Sequence, residues 1–255
     1  MRIVTWNVNS IRARLPRVLE FLERQKPDVV LLQELKCQDE QFPAEPIEEA
    51  GYNFQVFGQK TYNGVGILAR HRIEDPFRGL QDEVEDAEAR VIGATVGDTM
   101  FLNLYVVNGQ EVGHPRFDYK LAWLDRVARL LERRYPKNEK VVLGGDWNIT
   151  FDDRDVYAPE KWREKIHCST AERAALARIV DLGYADAFRH FTAEGGHYTW
   201  WDFRTFGFKK NEGLRIDHFL MSEAALRTCS GVTVDLEARG GERPSDHAPL
   251  VAELG

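Results

Sequence analysis

Short apolar runs recur along the chain, and most of them end in a carboxylate or an amide. Ile3 to Val8 reads as a buried strand closing on the polar pair Asn7 and Asn9. Ser10 then stands as a helix cap, and Ile11, Leu15, Val18, Leu19 and Leu22 fall on one helical face. Asp28 to Leu32 is a second buried run that continues into Gln33 and Glu34. Strand, helix, strand in this order predicts a parallel crossover. A short helix over Ile47 to Ala50 stops at Gly51, and strands follow at Phe54 to Phe57 and Val65 to Ala69 across a Tyr-Asn-Gly turn. Arg70 to Glu88 is charged and aperiodic, so it reads mostly as loop. Val91 to Val96 and Met100 to Val107 form a hairpin over Gly97-Asp98, with Tyr105 and Asn108 at its far end.

In the second half, Phe117 to Arg134 is amphipathic, with Leu121, Leu124, Ala128 and Leu131 facing in and Arg and Glu facing out. Val141 to Asn148 is the stretch of greatest interest: three apolar residues, Gly144-Gly145, then Asp146, Trp147 and Asn148. If the extended backbone persists, Asp146 and Asn148 leave the same face; the other reading of Gly, Asp and Asn here is a turn. Asp152 to His167 is a long polar loop. Ser169 to Glu172 matches a capping box and opens a helix to Leu182, closed by Gly183. Four more strand-like runs follow: Tyr198 to Phe203, Arg215 to Met221, Val232 to Leu236 and Ala248 to Leu254. Hairpins mix with crossovers, and helices are few for the number of strands. The expectation is one α/β domain over residues 1–255, with two mixed sheets packed face to face and helices outside.

A chain of 255 residues with 43% hydrophobic and 29% charged residues is ordinary for a soluble globular protein, and no apolar run reaches membrane-span length. The N-terminus enters a strand pattern directly. That and three scattered cysteines (Cys37, Cys168, Cys229) predict a cytoplasmic protein with free thiols. The net charge of −7 argues against coating nucleic acid by charge alone. Basic residues nevertheless gather locally, at Arg204, Lys209, Lys210 and Arg215.

The strand ends carry Asn7, Asn9, Glu34, Tyr105, Asn108, Asp146, Asn148, Asp217, Asp246 and His247. Each alone has a plain reading as a cap or a turn. Repeated hard oxygen donors suit Mg²⁺ or Mn²⁺, and no Cys or His spacing suggests zinc. His197, His218 and Trp147 read as packing or surface residues. Pro244 and Pro249 place Asp246 and His247 on a loop, where both can face one site.

Trp6-Asn7-Val8-Asn9, Leu32-Gln33-Glu34-Leu35-Lys36, Gly145-Asp146-Trp147-Asn148, Gly213-Leu214-Arg215-Ile216-Asp217 and Pro244-Ser245-Asp246-His247-Ala248-Pro249 stand in the order and spacing of the exonuclease III family of DNA-repair nucleases. That family is part of the DNase I-like, or endonuclease/exonuclease/phosphatase, superfamily, and the resemblance covers essentially the whole chain. It implies a four-layered α/β sandwich that hydrolyses phosphodiesters with Mg²⁺ or Mn²⁺. Carried over by position, it implies Glu34 as metal ligand, supported by Asn7, with Asp246 beside the metal. It implies Asp146 as activator of the attacking water, Asn148 as its orienter, Asp217 as the partner of His247, and His247 and Tyr105 as phosphate contacts. Asn9 stands where some relatives have Asp.

Trp200, Leu214 and Ile216 fall where the family forms an apolar pocket for a base-less sugar; core packing is the other reading. Asn108 lies in a loop lacking the proline that most relatives carry. Lys161, Arg163, Lys165, Lys209 and Lys210 are candidates for phosphate-backbone contacts. The stretch ending Ile166-His167-Cys168 resembles a branch that mainly trims 3′ ends, with His167 crowding the groove beside the sugar pocket. The expected substrate is double-stranded DNA with nicks, gaps or blocked 3′ ends, handled by a monomer with weak or absent abasic-site cleavage. A general abasic-site endonuclease is the alternative, and a lipid or inositol phosphodiesterase a more distant one.

Overall fold

The computed structural model describes residues 1–84, 86–135 and 139–255. In chain order the elements are β1 (Arg2–Asn7), α1 (Ile11–Gln25), β2 (Val29–Gln33), α2 (Ala44–Glu49), β3 (Asn53–Phe57), β4 (Val65–Ala69), β5 (Glu74–Arg78), β6 (Val91–Val96) and β7 (Thr99–Tyr105). They continue with α3 (Pro115–Arg134), β8 (Val141–Asp146), α4 (Pro159–Trp162), α5 (Thr170–Asp181), β9 (Tyr184–Asp186), α6 (Ala187–Phe191), α7 (Gly207–Lys210), β10 (Asp217–Ser222), α8 (Glu223–Leu226), β11 (Cys229–Val234), α9 (Leu236–Arg239) and β12 (Leu250–Leu254). One sheet has the order β11-β12-β1-β2-β4-β3 and the other β5-β6-β7-β8-β10-β9. Both are mixed, as expected: β1 and β2 run parallel, as do β7 and β8, and the remaining pairs are antiparallel.

The sheets pack face to face through Ile3, Leu31, Ile67, Phe101, Val142 and Phe219. The outer face of the first sheet buries Trp6, Val30 and Leu32 under Val18, Phe21 and Leu22 of α1, whose cap Ser10 accepts from the Ala13 N–H as the pattern predicts. On the outer face of the second, Leu102, Leu143 and Leu220 meet Trp123, Val127 and Leu130 of α3 and Leu176 of α5. This is the expected four-layered sandwich. Gly145 is obligatory here, because a Cβ would lie 1.9 Å from the Leu104 carbonyl oxygen. Under the site the two sheets are also joined by polar groups. The Gln33 amide donates to Asn103 Oδ1 (2.7 Å), and the Asn103 amide donates to the Leu32 and Gly66 carbonyls (2.8 Å each).

Several expectations need correction. The stretch expected as loop over 70–88, of which position 85 lies outside the described residues, contains β5. It pairs only with β6, so as an edge strand it tolerates Pro76 and exposed charge, and its periodicity is hidden. Tyr198 to Phe203 is not a strand; only Trp200 bridges, to Leu214 and His247. On α3 the polar residues do not all face out: Lys120 and Arg126 are buried, Arg126 against Asp82 and Asp86, while Leu121 is only half-buried. The three cysteines are free. Among the described residues no helix is long and apolar enough to cross a membrane.

Candidate active site

Chain direction gathers the site. β1, β2, β7 and β8 all point their C-terminal ends the same way, and β10 and β12, running antiparallel, begin at that end. Asn7, Glu34, Tyr105, Asp146, Asp217 and His247 therefore meet on one rim of the sandwich. The Asn7 amide joins the sheets, donating to Glu34 Oε1 (2.8 Å) and to Asp146 Oδ2 (2.9 Å). The Tyr105 hydroxyl donates to the same Glu34 oxygen (2.9 Å). His247 Nδ1 donates to Asp217 Oδ2 (2.8 Å), and its Nε2 lies 3.8 Å from Asp146 Oδ2. The His247 loop is fastened to β1 twice, by Trp6 Nε1 to the His247 carbonyl (3.2 Å) and by the Ser245 hydroxyl to the Asn7 carbonyl (2.6 Å).

Asp146 and Asn148 do not share a strand face. β8 ends at Asp146, and Asn148 has φ 53°, so the extended same-face reading fails and the turn reading holds, and this turn builds the site. The Asn148 N–H donates to Asp146 Oδ1 (3.0 Å), its amide donates to the Val106 carbonyl (3.0 Å), and the Asn108 amide donates to Asn148 Oδ1 (3.2 Å). Asn9, Glu34 and His167 also adopt left-handed backbone, at φ 46°, 53° and 70°. Such positions cost about 1–3 kcal/mol each and gather at working sites.

Burial, then the nearby Asp217 and Glu34 carboxylates, raises the pKa of Asp146 against the opposing effect of His247. Burial alone would lower that of His247, but Asp217 and Asp146 outweigh it and push it up to about 10. Tyr105 is pushed well above the usual phenol range by burial and by Glu34. One rim thus holds a buried carboxylate with raised proton affinity beside an imidazolium, the pairing that proton transfer from water and charge stabilisation require.

A model of the Endonuclease/Exonuclease/phosphatase family matches residues 4–247. The chain belongs to that family. Exodeoxyribonuclease III of Haemophilus influenzae is 35% identical over 100% of both chains. A 3′-5′ exonuclease from Neisseria meningitidis has a TM-score of 0.96 at 45% identity, covering 100% of this chain and 99% of its own. An AP endonuclease from Archaeoglobus fulgidus also reaches a TM-score of 0.96, at 33% identity and the same coverage. The chain is a nuclease of the exonuclease III/AP endonuclease type.

Nucleases of this family need a divalent cation, and the donor set here fits one. Glu34 Oε1 is taken by Asn7 and Tyr105, whereas Oε2 already holds a cation, the Lys36 ammonium at 2.7 Å. Asp217 Oδ1 is buried without a hydrogen-bond partner among the described residues. By distance alone Asp146, Asp217 and His247 also form a cluster, with ligand atoms within 4.8 Å. In that cluster His247 Nδ1 and Asp217 Oδ2 engage each other at 2.8 Å, whereas Glu34 Oε2 faces the Lys36 ammonium. Asp246 does not touch Glu34. Its carboxylate accepts from the Asn9 amide (2.9 Å) and from Trp200 Nε1 (3.1 Å), while Asn9 Oδ1 accepts from Lys36 (2.6 Å).

Trp200, Leu214 and Ile216 come together with Val156, Cys168 and Trp162. Leu214 and Ile216 are fully buried, so they pack as core, and only Trp200 offers a partly open face. His167 stands against Trp200 with ring centroids 6.4 Å apart, and its Nδ1 donates to the Asn148 carbonyl (2.6 Å). Lys209 and Lys210 are exposed on α7 and join no part of the acidic cluster; Lys210 lies 3.8 Å from Glu212. Asp217 does not pair with Arg215, whose guanidinium is spent on Asp155 and Asp186. Sequence reading missed Lys36, Lys120 and Arg90; the last lies over the Tyr105 ring at 4.8 Å. Only the neighbouring motifs could have flagged them.

His218 is buried between Arg215 Nη1 (2.8 Å) and the Ile149 carbonyl (2.7 Å), the packing role expected of it. Burial and Arg215 lower its pKa to about 4, and burial and Lys120 lower that of His167 to about 4. Depressed values mean that the unfolded chain takes up these protons first. Stability is then complete above about pH 6.5 and is lost as pH falls toward 4, by about 1.4 kcal/mol per pH unit for each histidine. Urea unfolding at pH 7, 5.5 and 4.5 should show this slope, and His218→Gln should flatten it; an unchanged slope would refute the assignment.

Proposed function

We propose that this chain is a Mg²⁺-dependent phosphodiesterase that processes the 3′ ends of double-stranded DNA. It removes nucleotides, phosphates or sugar fragments at nicks, gaps and blocked ends, leaves a 3′-hydroxyl, and cleaves internal abasic sites weakly. The observation that carries the chemistry is the continuous hydrogen-bonded run from Glu34 through Asn7 to Asp146, facing His247 and Asp217. Asp146 takes the proton of the attacking water, and Asn148 orients that water. His247, held by Asp217, donates to a phosphate oxygen, as does Tyr105 on the opposite flank. Glu34, with Asn7 and Asp246 as supporting residues, would hold the Mg²⁺, whose positive charge would offset the charge growing on the phosphate. Trp200 lies against the terminal sugar, with Leu214 and Ile216 as backing. Asn108 supports Asn148, and Lys209 and Lys210 contact the DNA backbone at a distance. All these groups come from one chain, so a monomer with one domain over 1–255 suffices.

His167 favours end processing. It is buried beside Trp200 and anchored to the Asn148 carbonyl, so it narrows the space a continuous duplex would need. A relative from Neisseria is described as a 3′ phosphatase bound to product DNA hairpin, at 44% identity and a TM-score of 0.96. The second reading, a general abasic-site endonuclease, is favoured by the archaeal AP endonuclease neighbour. Three matched duplexes separate the two: one with an internal abasic site, one with a nick bearing a 3′-phosphate, one with a plain recessed 3′ end, each with Mg²⁺ and with chelator. Fast turnover on the ends and slow turnover on the abasic site supports the first reading. His167→Gly is compatible with the left-handed backbone and should raise abasic cleavage about 10-fold or more, as pocket fit alone can discriminate. No gain would remove His167 as the filter.

A further inference from the structure

α3 carries a fully buried ammonium that the proposed chemistry does not use. Lys120 is fully buried, and its ammonium has three protein acceptors, matching its three protons. It donates to the Asn108 carbonyl (3.1 Å), to the Asn148 carbonyl (2.7 Å) and to Glu172 Oε1. The first two acceptors lie in the loops that follow β7 and β8. The third is the N3 glutamate of the α5 capping box, also fully buried, which accepts in addition from the His167 N–H (3.0 Å) and from the Ser169 hydroxyl (2.6 Å). One ammonium therefore ties together three segments that are far apart in sequence.

Buried ion pairs contribute little net stability, and apolar replacements are often neutral or better. What this one does provide is position. The two carbonyls it holds belong to the residues whose side chains meet, Asn108 Nδ2 donating to Asn148 Oδ1 at 3.2 Å. The Asn148 N–H in turn donates to Asp146 Oδ1 (3.0 Å). Asn148 stands at φ 53°, a conformation that needs external support. The backbone is shaped around the lysine stem: a Cβ on Gly109, at φ +92°, would lie 3.1 Å from Lys120 Cδ and 2.9 Å from Ile166 Cδ1.

We infer that Lys120, with Glu172 as its counter-charge, is a positioning residue for the reaction: it holds the Asn108 and Asn148 turns so that the Asn148 amide faces the reacting centre. The inference rests on the nuclease reading above. It makes Lys120 act through Asn148 and through no contact with DNA of its own.

The test is a cycle on the nick bearing a 3′-phosphate, with Mg²⁺. The variants are Lys120→Met, the charge-neutral pair Lys120→Met/Glu172→Gln, Asn148→Ala, and each lysine variant combined with Asn148→Ala. Melting temperatures are measured alongside, and kinetics are read well below them. The charge-neutral pair is expected to fold. Its kcat should fall roughly 10- to 100-fold, the usual effect of losing a group that orients a reacting one, with KM within about threefold of wild type. In the Asn148→Ala background the same change should cost less than about threefold, because the side chain it positions is gone. The inference is overturned by any of three results. They are a folded variant with wild-type kcat, a loss that persists undiminished without the Asn148 side chain, or failure of both lysine variants to fold, which would make the pair a folding element. An inert wild type sinks the nuclease reading and this inference with it, whereas an active wild type matched by the variant sinks the inference alone.

Discussion

Asp146→Asn is expected to lower turnover at a 3′-phosphate or a recessed 3′ end by roughly 10²- to 10⁴-fold, the range assigned to a general base, without loss of stability. Asparagine keeps the shape but has one carbonyl oxygen, so it keeps either the bond from the Asn148 N–H at Oδ1 or the bond from Asn7 at Oδ2 and loses the other, a cost that removal of the buried charge offsets. It cannot accept a proton from water. The stability side has a definite sign. Burial with Asp217 and Glu34 nearby raises the pKa of Asp146 above its unfolded value. An acid with a raised folded pKa costs stability once pH exceeds the unfolded value near 3.8, because the unfolded chain ionises first. Removing the charge should leave the melting temperature at neutral pH without divalent cation equal to or above that of wild type. Steady-state kinetics and thermal melts decide the matter; turnover within tenfold of wild type would mean that another group takes the proton.

The second large effect is at the imidazole. His247→Ala is expected to cost about 10²- to 10³-fold in kcat, the scale for losing one donor to a developing oxyanion. Asp217→Asn tests how that donor is maintained. Asp217 holds Nδ1 at 2.8 Å and, with Asp146, pushes the His247 pKa up to about 10 despite burial. A histidine with a raised folded pKa contributes stability that is complete below about pH 6.5 and is lost as pH rises toward 10. Wild-type activity should therefore not fall through loss of the imidazolium between pH 7 and 9. In Asp217→Asn the pKa drops, and kcat should decline within that window, alongside lower stability at neutral pH. A pH–rate profile that keeps the wild-type shape would show that His247 does not act as a cation. The two substitutions separate the roles: one removes the proton acceptor and relieves repulsion, the other removes a cation's support and weakens the fold.

Much of this was legible in one dimension. The apolar runs at Ile3, Val29, Val91 and Val141 have the length and bounds of strands, and all four are strands, because burial on both faces leaves a continuous apolar signature. Ser10 and the Ser169–Glu172 box mark helix starts through local hydrogen bonds, which need no tertiary partner. Polar residues at strand ends marked Asn7, Glu34, Asp146, Asp217 and His247, since carboxylates and amides after apolar runs lie at the rim of a core. β5 was hidden because an edge strand with one partner need not alternate.

The sequence by itself determined most of the strands and helices, β5 and the run over 198–203 excepted, and which side chains capable of the chemistry stand at strand ends. Only the tertiary structure decided which of them touch. Asn7 and Asp146 belong to different sheets, and their contact exists because two separately twisted sheets dock with their C-terminal ends together. Whether a charge on an amphipathic helix is solvated or spent inside was equally out of reach. Lys120 and Arg126 have the pattern of surface residues, and they are buried only because carboxylates and carbonyls from distant loops arrive beside them. Periodicity reports on the local surface a segment must hide, whereas a site depends on distances between segments, and packing alone sets those.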